Sequence, residues 1–126
     1  MNNAPSFDAV FQDIENKNIL VVTTTWNEDF LAPAIEEIAL HAKEEKINMA
    51  VKFCPGSLEL AATIKRTLKN AEFDGVIALG LVIKGDTPHF KLVSRQTFHD
   101  LGKVALDFEA IPCLLYTSDA ADDELG

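Results

Sequence analysis

The sequence has few cysteines and no long hydrophobic run. Its two cysteines, Cys54 and Cys113, lie far apart and form no CxxC motif. This pattern favours reduced core thiols in a cytosolic protein over a disulfide or a metal site. No window of eighteen apolar residues occurs, so no membrane span is predicted. The N-terminal segment MNNAPSFDAVFQDIENK has neither a basic start nor an apolar core, and we therefore expect no signal peptide.

Basic residues are also scarce. The chain has 11 Lys and Arg against 20 Asp and Glu, a formal net charge of −9, which argues against a nucleic-acid-binding surface. With 48% hydrophobic and 25% charged residues the composition is that of a folded globular protein. A chain of 126 residues can bury one core but is short for two. We therefore expect a single cytoplasmic domain over residues 1–126, with an N-terminal arm at 1–17.

Apolar, β-branched segments alternate with amphipathic ones along the chain. Strands are predicted over 18–25, 49–53, 76–83 and 111–116. Helices are predicted from Phe30 to about Lys46, after an N-cap at Ser57, and after the loop GDTPHF at 85–90. Pro33 fits the first of these helices only within its first turn. Strands this apolar predict an α/β fold, a three-layer α/β/α sandwich around a four-stranded parallel sheet.

Open sheets of this kind bind ligands beyond the carboxyl ends of their strands. Three loops leave that edge, TWNED, CPGSLE and KGDTPHF. Trp26 in the first loop is either an edge residue of the core or a stacking platform for a flat heterocycle. In the second loop, Pro-Gly-Ser makes a good turn and cap, and the helix dipole favours Glu59 without any ligand.

The third loop joins a buried strand to a helix. Asp86 or Thr87 is predicted as the N-cap and Pro88 as the first helical residue. The conformational freedom of Gly85 would let the amides of Gly85, Asp86 and Thr87 point outward together as an anion site. His89, in the first turn, is suited to proton transfer near neutral pH. The same four residues Gly-Asp-Thr-Pro also commonly end a strand and begin a helix, so capping without a ligand stays an equal alternative.

Together the three loops resemble those of the 6,7-dimethyl-8-ribityllumazine synthases. TTTWNED resembles the aromatic-Asn motif at a strand end, CPGSLEL a PGAFE-like turn, and VIALGLVIKGDTPHF the signature strand and loop. The similarity runs from about Ile19 to Leu115. It implies a flavodoxin-like fold and a transferase of riboflavin biosynthesis. Such an enzyme joins 5-amino-6-(D-ribitylamino)uracil to 3,4-dihydroxy-2-butanone 4-phosphate, releasing phosphate and water, with no metal or organic cofactor.

The resemblance also implies a role for individual residues. His89 is the catalytic proton-transfer residue. For the ribitylaminouracil, Trp26 is implied to stack on the ring, with Asn27 in a supporting role. The ribityl chain is implied to contact Ser57, Leu58 and Glu59, and the ring to be bordered by Leu81, Val82 and Ile83. Leu115 is implied to bind this substrate from a position that reaches a neighbouring subunit's site. The residues implied to bind the butanone phosphate are Lys84, Gly85, Asp86 and Thr87.

Several positions depart from the family pattern. The family often has Ala-Phe at Ser57-Leu58, Thr or Val at Leu81, Arg at Lys84 and Phe at Leu115. A lysine keeps the positive charge but cannot make the planar two-point contact of an arginine. These substitutions soften the fit to the substrates and leave the reaction class unchanged.

The C-terminal segment departs further. Members of the family continue from the fourth strand into a turn and a helix that carries a phosphate-binding arginine, whereas this chain ends in YTSDAADDELG. We therefore expect a C-terminal truncation, with residues 116–126 a non-native or divergent acidic tail. The family works as homopentamers or 60-subunit shells with sites between subunits, and neither a nucleic acid nor a membrane is an expected partner.

Two alternatives remain beside the synthase. In the first alternative, the chain is a non-catalytic lumazine- or flavin-binding module of the same fold. In the second, it is an inactive truncated copy of the enzyme. A flavodoxin or a receiver domain of a signalling protein fits less well. The first strand does not end in the paired acidic residues that a receiver needs, and no Ser/Thr-rich loop for the phosphate of FMN stands at that position.

Overall fold

The computed structural model of the chain describes residues 14–83, 85 and 88–108, and the backbone of residues 113–116. Strands and helices alternate within this part. In chain order they are β1 (Asn18–Thr24), α1 (Glu28–Glu44), β2 (Asn48–Cys54), a 3₁₀ turn (Ser57–Glu59), α2 (Leu60–Asn70), β3 (Gly75–Leu79), α3 (His89–Asp107) and β4 (Cys113–Tyr116).

The four strands form one parallel sheet in the order β2-β1-β3-β4. Val21 of β1 lies between Val51 of β2 and Ile77 of β3. Because β1 has a neighbour on each side and helices above and below, Val21 and its flanking residues Leu20 and Val22 are fully buried. The predicted α/β fold with a four-stranded parallel sheet is confirmed.

Helices cover both faces of the sheet. On one face Leu60 and Ile64 of α2, with Leu101 of α3, pack with Leu20 and Val22. On the other face Leu31 and the half-buried Ile35 and Ile38 of α1 pack with Val21 and Leu79. The molecule therefore has the expected three layers, with two helices on one side and one helix on the other among the described residues.

Two element boundaries differ from the sequence predictions. Helix α1 begins at Glu28 rather than Phe30, so Pro33 lies inside the helix and past its first turn. Proline at this position has no N–H to donate to the carbonyl four residues earlier in the helix. Because Pro33 is exposed, water can bind that carbonyl instead. Strand β3 ends at Leu79 rather than at residue 83, because the chain leaves the sheet at Gly80 and the carbonyl of Leu81 accepts a side-chain hydrogen bond instead.

Both predicted helix caps need correction. Ser57 opens the 3₁₀ turn and makes no side-chain cap, and α2 begins at Leu60. Pro88 occupies the cap position of α3 with φ −72° and ψ 7°, so His89 rather than Pro88 is the first helical residue. The predicted caps Asp86 and Thr87 lie outside the described residues.

Cys54 is free and 5% exposed at the end of β2, as expected for a core thiol. The side chain of Cys113 lies outside the described part of the chain. Across the described residues, no helix combines the length and the apolar character needed to cross a bilayer. Nor does this part of the chain gather three or more His, Cys, Asp or Glu side chains where a metal ion could bind.

Candidate functional site

A pocket of about 320 Å³ opens beyond the carboxyl ends of β1, β2 and β3. The three loops predicted from the sequence form its walls, and the start of α3 closes one side. Its lining residues are Trp26, Asn27, Gly56, Ser57, Leu58, Glu59, Leu81, Val82, Ile83, His89, Phe90 and Val93. The structure thus brings together His89 and every residue predicted to contact the ribitylaminouracil except Leu115.

The first two loops are joined through their backbones. The amide of Thr25 donates to the carbonyl of Cys54 at 2.8 Å, and the amide of Trp26 donates to the carbonyl of Pro55 at 3.1 Å. The hydroxyl of Thr24 donates to the carbonyl of Trp26 at 2.7 Å. These bonds continue the pairing of β1 with β2 past the strand ends, and they fix the backbone of Trp26.

The side chain of Trp26 is 73% exposed although its backbone is held. A core-edge tryptophan would be largely covered, so the structure excludes that alternative from the sequence analysis. An indole ring that lines a pocket on a fixed backbone presents a flat apolar face of the kind that stacks on planar heterocycles.

Asn27 connects the first loop to the third. Its backbone has φ 63° and ψ 28° in the left-handed region, where asparagine is tolerated better than most residues. Its amide Nδ2 donates to the carbonyl of Leu81 at 3.1 Å. Asn27 therefore positions the loop that carries Leu81, Val82 and Ile83, and we interpret its role as structural support for the pocket.

The second loop brings one hydroxyl and one carboxylate to the pocket. Within the described part of the chain the hydroxyl of Ser57 has no hydrogen-bond partner, and Glu59 is exposed. Both groups are therefore free to bind the hydroxyls of a ligand. Leu58 is 47% exposed beside them.

Cys54 lies directly beneath this loop, with its thiol Sγ 3.5 Å from the carbonyl oxygen of Gly56. Burial raises the pKa of the thiol, the nearby carboxylate of Glu59 raises it further, and a hydrogen bond from Thr63 acts in the opposite direction. The thiol is therefore neutral at physiological pH, and it adds no charge under the loop.

The phosphate side is described at fewer positions. Gly85 is exposed, and a Cβ atom at this position would meet nothing within 4 Å. Lys84, Asp86 and Thr87 lie outside the described residues. Leu115 lies in β4 with its backbone opposite Ala78, and its side chain is outside the description. The roles of these residues stay predictions.

Sequence reasoning missed four residues at this edge. Gly56, Phe90 and Val93 line the pocket, yet Phe90 and Val93 share the apolar spacing of ordinary core positions on α3. Gly80 is buried behind the pocket, where a Cβ atom would lie 2.9 Å from Ser57 Oγ and 3.1 Å from Leu60 Cδ1. A glycine inside the predicted strand 76–83 was the one available signal for such a close approach.

Comparison with known proteins agrees with this geometry. Residues 16–123 match the family model described as 6,7-dimethyl-8-ribityllumazine synthase. The chain is also similar to the 6,7-dimethyl-8-ribityllumazine synthase of Gemmatimonas aurantiaca, with 35% identity over 112 residues that cover 86% of this chain and 68% of that protein. The family match includes all three pocket loops and runs past Leu115 into the segment 116–126 that was expected to be a tail.

Proposed function

The chain belongs to the 6,7-dimethyl-8-ribityllumazine synthase family, and from this premise we propose that the pocket at the sheet edge is its active site. The reaction is the condensation of 5-amino-6-(D-ribitylamino)uracil with 3,4-dihydroxy-2-butanone 4-phosphate. The products are 6,7-dimethyl-8-ribityllumazine, phosphate and water, so the chain is a transferase of riboflavin biosynthesis.

One observation carries the assignment of the site. Nine residues chosen from three separate loops for their resemblance to the family line a single pocket, although they are spread from Trp26 to His89 along the chain. The pocket is large enough for a small molecule and has one exposed aromatic ring, one hydroxyl and one carboxylate on its walls. Apolar walls with a few polar groups are typical of ligand sites.

Different walls of the pocket contact the two parts of the pyrimidine substrate, its ring and its ribityl chain. Trp26 stacks on the ring, and the segment 81–83 borders the ring on the side that Asn27 holds in place. Ser57 and Glu59 face the ribityl chain, where a hydroxyl and a carboxylate can bind sugar hydroxyls. Leu58 adds apolar contact to the same wall.

The second substrate needs an anion site beside the start of α3. Lys84, Gly85, Asp86 and Thr87 are proposed to hold its phosphate, with Lys84 supplying the positive charge. Leu115 is proposed to act at the site of a neighbouring subunit. These roles rest on the family resemblance of the third loop and of β4.

The chemistry requires positioning and proton transfer. The 5-amino group of the pyrimidine attacks the ketone carbonyl and one water leaves. Elimination of phosphate then gives an enol that tautomerises to a ketone, and the ribitylamino nitrogen closes onto this carbonyl with loss of a second water. His89, exposed at the pocket edge, is placed to take the proton from the attacking amine and to return it to a leaving oxygen. Holding two substrates in register supplies much of the remaining acceleration.

We also propose that the protein is a cytoplasmic homo-oligomer, a pentamer or a 60-subunit shell with its sites between subunits. Large apolar side chains that are exposed outside the pocket support assembly. They include Phe53 on β2 and Leu92, Phe98 and Leu106 on α3, which are 50%, 65%, 52% and 78% exposed. Sedimentation velocity distinguishes a monomer, a pentamer and a shell by their masses.

The proposed activity is tested by mixing the purified chain with both substrates and following lumazine absorbance. We expect formation well above the uncatalysed rate measured without protein. A progress curve that matches the uncatalysed reaction at every protein concentration would refute the synthase assignment.

A non-catalytic lumazine-binding module is the second candidate. The heterocycle side of the pocket favours it, because the bonds of Thr25, Trp26 and Asn27 hold that side together without any phosphate residue. Binding of 6,7-dimethyl-8-ribityllumazine without any acceleration of its formation would favour the module over the synthase.

A further inference from the structure

Gly80 lies behind the ribityl wall of the pocket and does not line it. The residue follows the last residue of β3 and is buried. A side chain at this position would meet its neighbours closely. A Cβ atom there would lie 2.9 Å from Ser57 Oγ, 3.1 Å from Leu60 Cδ1 and 3.7 Å from Ser57 Cβ. The first of these distances is shorter than carbon and oxygen atoms tolerate without a bond between them.

We propose that Gly80 is a positioning residue that sets the ribityl specificity of the pocket by allowing the hydroxyl of Ser57 to sit against the end of β3. This inference rests on the proposed function, since it takes the ribityl chain to be the group that Ser57 contacts. Gly80 touches no substrate and acts through Ser57.

The side chain of Ser57 has a single torsion that can relieve the contact. A methyl group at position 80 must therefore rotate the hydroxyl into another rotamer or displace the 3₁₀ turn 57–59 from the sheet. Either response moves the hydroxyl, which has no hydrogen-bond partner within the described residues to hold it. Leu60 Cδ1, in contrast, is the end of a longer side chain and can shift by a few tenths of an ångström.

The consequence is selective for one part of the ligand. Trp26 and Asn27 are held by bonds to Pro55 and Leu81, neither of which involves Gly80 or the Ser57 hydroxyl. Gly80→Ala is therefore expected to weaken the binding of a ribityl-bearing ligand and to leave ring stacking unchanged.

The test compares two ligands that differ only in the ribityl chain. The affinities of 6,7-dimethyl-8-ribityllumazine and 6,7-dimethyllumazine are measured by quenching of Trp26, the single tryptophan of the chain. For Gly80→Ala we expect about a tenfold weaker affinity for the ribityl ligand, the scale of one lost hydrogen bond, and less than about a twofold change for the other. Gly102→Ala is the matched control, because a Cβ atom at Gly102 meets nothing within 4 Å.

The dependence on Ser57 is tested in the Ser57→Ala background. There Gly80→Ala should add less than about a twofold further loss of affinity for the ribityl ligand, since the hydroxyl is already gone. Loss of affinity for both ligands, the same tenfold loss in both backgrounds, or no loss at all would overturn the proposal.

Folding yields are also decisive. If Gly80→Ala does not fold and the double variant with Ser57→Ala does, the contact between the two residues is established; if neither folds, Gly80 is needed for another reason and the proposal fails.

A parent chain that binds neither lumazine and forms none would refute the proposed function and this inference with it. A parent chain that binds normally while the two variants act independently would refute the role of Gly80 only.

Discussion

The interior of the sheet and the pocket at its edge are built on the same three strands, yet they place large apolar side chains in opposite environments. Leu20 and Val22 in the middle of β1 have no exposed surface, whereas Trp26, two residues past the end of that strand, is 73% exposed. Leu58 and Ile83 at the pocket are 47% and 44% exposed. Apolar side chains in the interior stabilise the fold, and those at the edge remain available to a ligand. Substitutions in the two regions should therefore have separable effects.

The largest effect is expected in the interior. Ile64 of α2 is 1% exposed against Leu20 and Val22, so Ile64→Ala should lower the free energy of unfolding by about 2–5 kcal/mol, the usual range for an aliphatic core residue cut to alanine. Urea denaturation followed by circular dichroism measures the change. Arg66→Ala, exposed on the same helix, is the control and should stay within about 0.5 kcal/mol of the parent. An equal loss in both variants would contradict the assignment of α2's buried face.

The next largest effect is expected in catalysis. His89→Ala should lower kcat by about 10²-fold, a typical contribution of general acid–base help, and leave the urea midpoint unchanged because the side chain is exposed. Lumazine absorbance at saturating substrates measures kcat. His99→Ala, an exposed histidine further along α3, should keep the parental rate. Equal activity of His89→Ala and the parent would remove His89 from the mechanism.

A smaller effect is expected in ligand affinity. Trp26→Ala should weaken 6,7-dimethyl-8-ribityllumazine binding by about tenfold, the scale of one aromatic stacking contact, with little change in stability. Equilibrium dialysis measures the affinity without using the tryptophan as a reporter. Trp26→Phe keeps an aromatic face and should lose less than about threefold. If the phenylalanine and alanine variants lost affinity equally, ring stacking would not be the role of Trp26.

Two substitutions of Asn27 distinguish the effect of its backbone conformation from the effect of its side-chain hydrogen bond. Asn27→Gly keeps the left-handed backbone and loses the bond to Leu81, whereas Asn27→Ala loses the bond and also places a Cβ at φ 63°. Both variants should raise the KM for the pyrimidine substrate by about threefold to fivefold, and the alanine variant should in addition lose about 1 kcal/mol of stability. Thermal unfolding and initial rates together test this. A glycine variant with parental KM would show that the bond to Leu81 does not position the third loop.

The same contrast explains how much of the protein could be predicted from its sequence. The interior strands and helices were predictable because hydrophobic periodicity follows directly from burial, and the order of these elements implies a parallel sheet. The residues Trp26, Ser57, Glu59 and His89 could be assigned to one edge because the carboxyl ends of parallel strands lie on the same side.

Details of the edge were harder to predict, because they depend on contacts between loops. The sequence gives no sign that the carbonyl of Leu81 is bound by Asn27, and the apolar run through residue 83 therefore predicts four strand residues too many. Ser57 has the identity of a helix cap, yet its hydroxyl lies against Gly80 and caps nothing. Phe90 and Val93 keep the spacing of core residues while they line the pocket, so periodicity cannot separate the two functions.

Cys54 lies at the border between the two regions, and it gives the smallest predicted effect. Burial raises the pKa of its thiol above the ordinary value, so the folded state favours the neutral form. The associated stability is fully present below the pKa of the unfolded thiol, about 8.5, and is lost as the pH rises through the higher pKa of the folded state. Urea midpoints of the parent should therefore fall more steeply above about pH 8.5 than those of Cys54→Ala, which has no thiol to ionise there. Parallel plots of urea midpoint against pH for the two proteins would show that the thiol of Cys54 is exposed to solvent. Cys54 would then not belong to the buried interior.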